Sequence, residues 1–183
     1  MITVINGNPR ADSRTGKLAN ATGLALANRL ALAGRPAESE PHIVDLAPLG
    51  YRLLVAGDVT RRLAIAAVSG ADIVIVATPT YKGSYTGILK VLLDALPHNG
   101  LGGKVAVPLV TAGNAQQAAS ASDKLIDLLS ELGATVVTPG LTAIESQLDG
   151  EITLAEDFAD RLTAHEAFAL TLPNPRKIST TSR

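Results

Sequence analysis

The sequence predicts an α/β protein built on an open, doubly wound parallel sheet. Three observations carry that prediction. Five short β-branched-rich runs alternate with segments of helical period. The runs are apolar almost continuously rather than at every second position, as expected of strands covered on both faces. The chain has 183 residues, enough for one such core and too few for two. Right-handed crossovers then place helices on both sides of the sheet and ligands beyond the carboxyl ends of the strands.

The elements follow in order. Residues 3–5 form the first strand, and Leu18, Ala21, Ala25 and Leu32 mark the first helix. Residues 42–46 form the second strand, followed by a weaker helix over 58–69. Residues 72–77 form the third strand, and Leu89, Leu92, Leu93 and Leu96 give a helical face that ends at Pro97. Residues 104–110 form the fourth strand, and Leu125, Leu128, Leu129 and Leu132 give a helix closed by Gly133. A fifth strand over 134–137 and a last helix over 153–170 complete a single domain, residues 1–172. Residues 173–183 are apolar-poor and read as a mobile tail or a partner contact.

Composition narrows the chemistry. With no Cys, disulfides, Cys-based zinc sites, iron–sulfur clusters and thiolate nucleophiles are excluded. The start has no leader pattern and no apolar run reaches a membrane span, so a cytoplasmic protein without a membrane partner is expected. A net charge of −1 argues against nucleic acid as a partner. The balance is uneven: residues 1–104 carry 11 basic and 7 acidic side chains, which suits an anionic ligand as well as a solvated surface. Only 3% of residues are aromatic, with Tyr 3, Phe 2 and Trp 0, so the core must be aliphatic.

Three loops at the predicted ligand edge carry the polar residues. The first runs from Asn6 to Gly16 and contains Gly7, Asn8, Arg10, Ser13, Arg14 and Thr15. Hydroxyls and arginines at a helix N-terminus favour a phosphate, and Gly7 permits a sharp turn. The same residue types cap ordinary helices, so this loop alone does not distinguish the two. It contains neither GlyXxxGlyXxxXxxGly nor GlyLysSer/Thr, which disfavours a Rossmann dinucleotide and a P-loop nucleotide. The second loop, Pro79, Thr80, Tyr81, Lys82, Gly83, Ser84 and Tyr85, concentrates two of the five rings within five residues. Close backbone approach beside an apolar wall suits a flat polar heteroaromatic, although either tyrosine singly is more readily a packing residue than a ligand contact. The third loop, Thr111, Ala112, Gly113 and Asn114, adds small residues and an amide at the same edge. The histidines, His42, His98 and His165, lie in none of these loops.

The order GlyAsnProArg…SerArgThr, then AlaThrProThrTyrLysGlySerTyrThrGlyIleLeuLysValLeuLeuAsp, then LeuGlyGlyLysValAlaValProLeuValThrAlaGlyAsn resembles the NAD(P)H-dependent FMN reductases of the flavodoxin-like fold. Among these it is most similar to the reductase components of alkanesulfonate-type two-component monooxygenase systems. The resemblance covers about residues 1–140 and is most specific from Thr78 to Asp94. It implies a five-stranded sheet of order 2-1-3-4-5. It also implies FMN and NADPH or NADH as cofactors, a homodimer or homotetramer, and a flavin-dependent monooxygenase as the partner receiving reduced FMN. By the same analogy the first loop holds the phosphate, residues 79–85 lie along the isoalloxazine and residues 111–114 close its pyrimidine side. Backbone amides of residues 79–84 are expected near flavin N5 and O4, with no catalytic side chain and no metal.

The chain departs from the family at three places: Asn8 stands where Ser is usual, no His follows Gly113, and Asp123 aligns with a Tyr of some relatives. Two other readings share these motifs, a quinone or azo reductase that retains FMN and a flavodoxin-type electron carrier. A pI near 6.3 and the lack of Trp disfavour the carrier.

Overall fold

The computed structural model describes residues 1–35, 40–164 and Phe168. The strands are β1 (Ile2–Asn6), β2 (His42–Asp45), β3 (Ile73–Pro79), β4 (Val105–Ala112), β5 (Thr135–Val136) and β6 (Leu141–Ile144). The helices are α1 (Arg14–Leu32), α2 (Val59–Gly70), α3 (Gly87–Asp94), α4 (Ala115–Glu131) and α5 (Glu151–Thr163). A 3₁₀ turn at Gly50–Leu54 precedes α2, and another at Glu145–Gly150 precedes α5. All pairings are parallel and the order is β2-β1-β3-β4-β5, with β6 also paired to β4. The doubly wound sheet and its expected order are both present.

Alternate residues of each central strand enter opposite cores, which is why the runs are continuously apolar. Ile73, Ile75 and Ala77 of β3 pack with Leu18 and Leu26 of α1 and Phe158 of α5. Val74 and Val76 face Val68 of α2, Leu89, Leu92 and Leu93 of α3, and Leu125 and Leu129 of α4. The two phenylalanines Phe158 and Phe168 are both buried on the first face, so the second core is built almost wholly of aliphatic side chains.

The fifth position of the sheet differs from the expected single strand over 134–137. Two short strands share it: β5 beside Val105 and Ala106, and β6 beside residues 109–112. The cause lies in β4. Ala106 accepts from the Val137 amide at 2.8 Å, so the even-numbered residues of β4 face this edge. Pro108 is the next of them and has no N–H to offer. The ladder lapses there, and Thr138-Pro139-Gly140, with a cis Thr138–Pro139 bond, fills the gap. Gly140 is required because a Cβ would lie 2.4 Å from the Pro108 carbonyl oxygen.

One helix face and one helix boundary also depart from expectation. The buried face of α1 includes Leu18 and Ala25 as expected, with Ala19, Thr22, Leu26 and Leu30, while Leu32 is 80% exposed. Helix α3 ends at Asp94, before Leu96. The reach of the last helix past Ala164 and the 173–183 tail lie outside the described residues. Among the described residues no helix is long and apolar enough to cross a membrane.

Helix α2 begins on Asp58, whose carboxylate accepts from the Thr60 hydroxyl and from the Thr60 and Arg61 amides. The Thr60 hydroxyl first, then these amides and Arg52, hold its pKa down from 3.8 to about 2. A depressed carboxyl stabilises the fold fully above its unfolded pKa and loses that contribution as pH falls through the folded value. Asp58→Asn is therefore expected to flatten the fall of the thermal midpoint between about pH 4 and pH 2, with the wild-type slope retained above pH 5.

Candidate functional site

The first loop leaves β1 through a close approach. The Gly7 amide donates to the Ala77 carbonyl at 2.8 Å, and a Cβ on Gly7 would stand 2.7 Å from that oxygen and 3.0 Å from Leu89 Cβ. Only glycine lets β1 exit there against β3 and α3. Asn8 is 7% exposed and turns inward: Nδ2 donates to the Thr15 hydroxyl at 3.2 Å, and Oδ1 accepts from the Arg10 amide at 3.0 Å. Ser13 caps α1 by accepting from the Gly16 amide at 3.1 Å, which leaves its hydroxyl proton free to donate.

The amides of Ala11, Asp12 and Ser13 meet no protein acceptor among the described residues, and those of Arg14 and Thr15 belong to the unpaired first turn. Five successive amides without a protein acceptor thus sit at the positive end of a 19-residue helix. Arg10 and Arg14 are exposed at this rim, Arg14 3.6 Å from Glu145. These are the requirements of an anion site.

The second loop is a tight hairpin. Tyr81 and Ser84 exchange backbone hydrogen bonds at 2.9 and 3.2 Å across Lys82 and Gly83, which have φ of 53° and 74°. Two positive-φ residues are the pattern of the tightest hairpin turns. Gly83 adopts it freely, whereas a left-handed Lys82 costs roughly 1–2 kcal/mol. The Lys82 and Gly83 amides are left without protein acceptors among the described residues. Thr80 lies beside them, and its buried hydroxyl has no partner among the described residues. Tyr81 is 43% exposed, while Tyr85 packs against the second core. The pair is therefore split, with Tyr81 the more open ring and Tyr85 half-buried.

Hydrogen bonds join the loops into one edge. The Thr15 and Thr111 hydroxyls are 2.7 Å apart, linking the first and third loops through a buried contact. The Thr80 amide donates to the Thr111 carbonyl at 2.8 Å, linking the second and third. Thr86 donates to the Gly7 carbonyl at 2.5 Å while capping α3 through the Leu89 amide. Thr86 and Asn6, which braces the Asn8 amide at 3.2 Å, hold the candidate site together and were missed by the sequence reading. The N-cap spacing of Thr86 to Leu89 was a usable signal for the first; none marks the second.

Ala112 is buried, and Gly113 and Asn114 are exposed, with Asn114 Oδ1 capping α4 by accepting from the Gln117 amide at 2.9 Å. Pro79 is buried at the end of β3. Exposed His42 and His98 lie elsewhere, and His165 falls outside the described residues. The described residues contain no cluster of three or more His, Cys, Asp or Glu able to hold a metal. Two cavities, of about 410 and 800 Å³, flank β5 and β6 on the other side of β4 from the hairpin.

An anion site, an unpartnered hydroxyl, two free amides and an exposed ring on adjoining loops are the complement of a phosphorylated flat heteroaromatic. Residues 1–149 match the family model described as NADPH-dependent FMN reductase. The chain belongs to that family. An NADH-dependent FMN reductase, SfnF of Pseudomonas putida, is 30% identical over 81% of this chain and 79% of its own length. The FMN reductase (NADPH) of Escherichia coli (strain K12) is 45% identical over 78 residues, a match that spans 43% of this chain and 41% of that protein.

Among solved structures, an NADH:FMN oxidoreductase (EMOB) in its apo form superimposes with TM-score 0.76 at 30% identity, covering 96% of this chain and 91% of the other. A WrbA-like flavodoxin from Agrobacterium tumefaciens, at 16% identity and TM-score 0.60, shares the fold. The flavodoxin-like architecture and the family expected from Thr78–Asp94 are thus both found.

Proposed function

We propose that this chain uses NADPH or NADH to reduce FMN and releases the reduced flavin to a separate flavin-dependent monooxygenase. The observation that carries the reading is the run of unpaired amides at the start of α1, in the loop that also carries the exposed Arg10 and Arg14, on the same edge as the 81–84 hairpin. The matching relatives are named for both NADPH and NADH, so either donor fits.

The residues suit FMN. The amides of residues 11–15, the Ser13 hydroxyl and Arg10 would hold its phosphate. Asn8, Thr15 and Thr111 would act from beneath, keeping the first and third loops in register. The Lys82 and Gly83 amides would face the polar edge of the ring, where donors stabilise negative charge. Gly113 and Asn114 would close the opposite side. When bound, FMN supplies the hydride acceptor for the nicotinamide, so the protein's part is binding and orientation. Release of the flavin is favoured by the absence of Trp and by the packing of Tyr85 against the second core, which leave Tyr81 as the exposed ring of the second loop. Assembly as a homodimer or homotetramer belongs to the same proposal.

Oxidation of NADPH and NADH by gel-filtered protein tests the reading. The expected result is a rate that rises saturably with micromolar FMN, whereas full activity without added flavin, passed on to a quinone, overturns release. In the same assay Arg10→Ala is expected to weaken FMN about tenfold or more while leaving riboflavin, which lacks the phosphate, within about twofold. Equal losses for the two flavins would remove the phosphate from the first loop.

A further inference from the structure

The hairpin that would face the flavin ring is held from a helix outside the three loops. Lys124 on α4 donates from Nζ to the Gly83 carbonyl at 2.6 Å, across 41 residues of sequence. Its own helix offers Asp127, three residues on, as a nearer partner, yet no ion pair forms with it. The hairpin has reason to need an anchor. It consists of one bridge, Tyr81 with Ser84, and turns through a lysine at positive φ, so it lacks the strand length that stabilises a hairpin alone.

The Gly83 carbonyl and the Ser84 amide belong to one planar peptide. Fixing the carbonyl toward α4 therefore fixes the Ser84 amide toward Tyr81, to which it donates at 3.2 Å. With that peptide set, the turn keeps the conformation in which the Lys82 and Gly83 amides remain free of protein acceptors.

We propose that Lys124 is a positioning residue for the flavin ring: by gripping the Gly83 carbonyl it holds the 81–84 hairpin in its binding shape. The inference rests on the flavin-reductase reading and adds to it a residue from α4 that touches neither flavin nor nicotinamide. Because the hairpin would meet the ring and not the phosphate, Lys124 acts on every flavin alike.

The test uses the full chain with Lys124→Met and Lys124→Arg, measuring the dissociation constants of FMN and riboflavin, kcat and KM for FMN, and amide hydrogen exchange over residues 81–85. For Lys124→Met the expected result is a loss of roughly fivefold to tenfold in affinity for both flavins, somewhat less than a full charge-assisted hydrogen bond because Lys124 is exposed to solvent. Exchange across the hairpin should quicken while the thermal midpoint stays in place, since Lys124 is an exposed side chain. Lys124→Arg keeps a cationic donor and is expected to recover most of the affinity. Unchanged affinity and exchange in Lys124→Met would overturn the proposal, as would a loss confined to FMN. Wild-type protein that oxidises no nicotinamide with FMN present would instead overturn the reading beneath it.

Discussion

Gly7→Val is expected to lower the thermal midpoint and to raise the KM for FMN at least tenfold. The added side chain has nowhere to go. Its Cβ alone would sit 2.7 Å from the Ala77 carbonyl oxygen and 3.0 Å from Leu89 Cβ, and Leu89 is completely buried. Relief requires β1 to part from β3 or α3 to shift, and either movement strains the 2.8 Å bond from the Gly7 amide to Ala77 and the 2.5 Å bond from Thr86 to the Gly7 carbonyl. Overpacking of this kind costs about 1–3 kcal/mol. In a chain of this length that is a fall of roughly 2–12 °C, read by calorimetry. The flavin effect has the same origin, because the first loop begins at Gly7 and its amides would hold the phosphate. Gly87→Ala is the control. A Cβ at Gly87 meets nothing within 4 Å, so the midpoint should hold or rise slightly. A Gly7→Val protein with wild-type midpoint and KM would show that the exit from β1 is not tightly packed.

What the sequence makes legible here is set by the range of the contacts involved. Strands β1, β3 and β4 could be read because both faces are buried, so the pattern is written in every residue. Helices α3 and α4 could be read because Leu89, Leu92 and Leu93, and Leu125 and Leu129, repeat within one element. The split of the fifth strand depends on Pro108, a residue on the neighbouring strand some thirty positions earlier, and local periodicity does not carry it. The candidate site divides the same way. The loops themselves were visible as clusters of Gly, Ser, Thr and Arg. That Asn8 turns inward, that Thr86 grips Gly7 and that Lys124 grips Gly83 are consequences of how distant elements meet. Tyr81 and Tyr85 illustrate the limit: they are four residues apart with similar neighbours, and only the packing of the second core separates an exposed ring from a half-buried one.

Helix α1 offers the sharpest measurable contrast between spacing and environment. Leu18 and Leu32 lie at opposite ends of the predicted apolar stripe, fourteen residues or about four turns apart. Four turns are 14.4 residues, so the two side chains point almost the same way from the axis. Their surroundings differ completely. Leu18 is 0% exposed among Val4, Ile75 and Leu109, whereas Leu32 is 80% exposed at the end of the helix. Leu18→Ala removes buried methyl groups and leaves a cavity between α1 and β1, and about 2–5 kcal/mol of stability should go with it. Leu32→Ala removes atoms that water already reaches, and the change should stay within about 0.5 kcal/mol. Chemical denaturation of the two variants decides the matter, since equal midpoints would mean that α1 does not pack along the sheet. Leu18 also stands three residues after Thr15, whose hydroxyl meets Thr111. Loosening the helix at Leu18 should therefore carry into the first loop, so Leu18→Ala is expected to raise the KM for FMN as well, and Leu32→Ala to leave it unchanged.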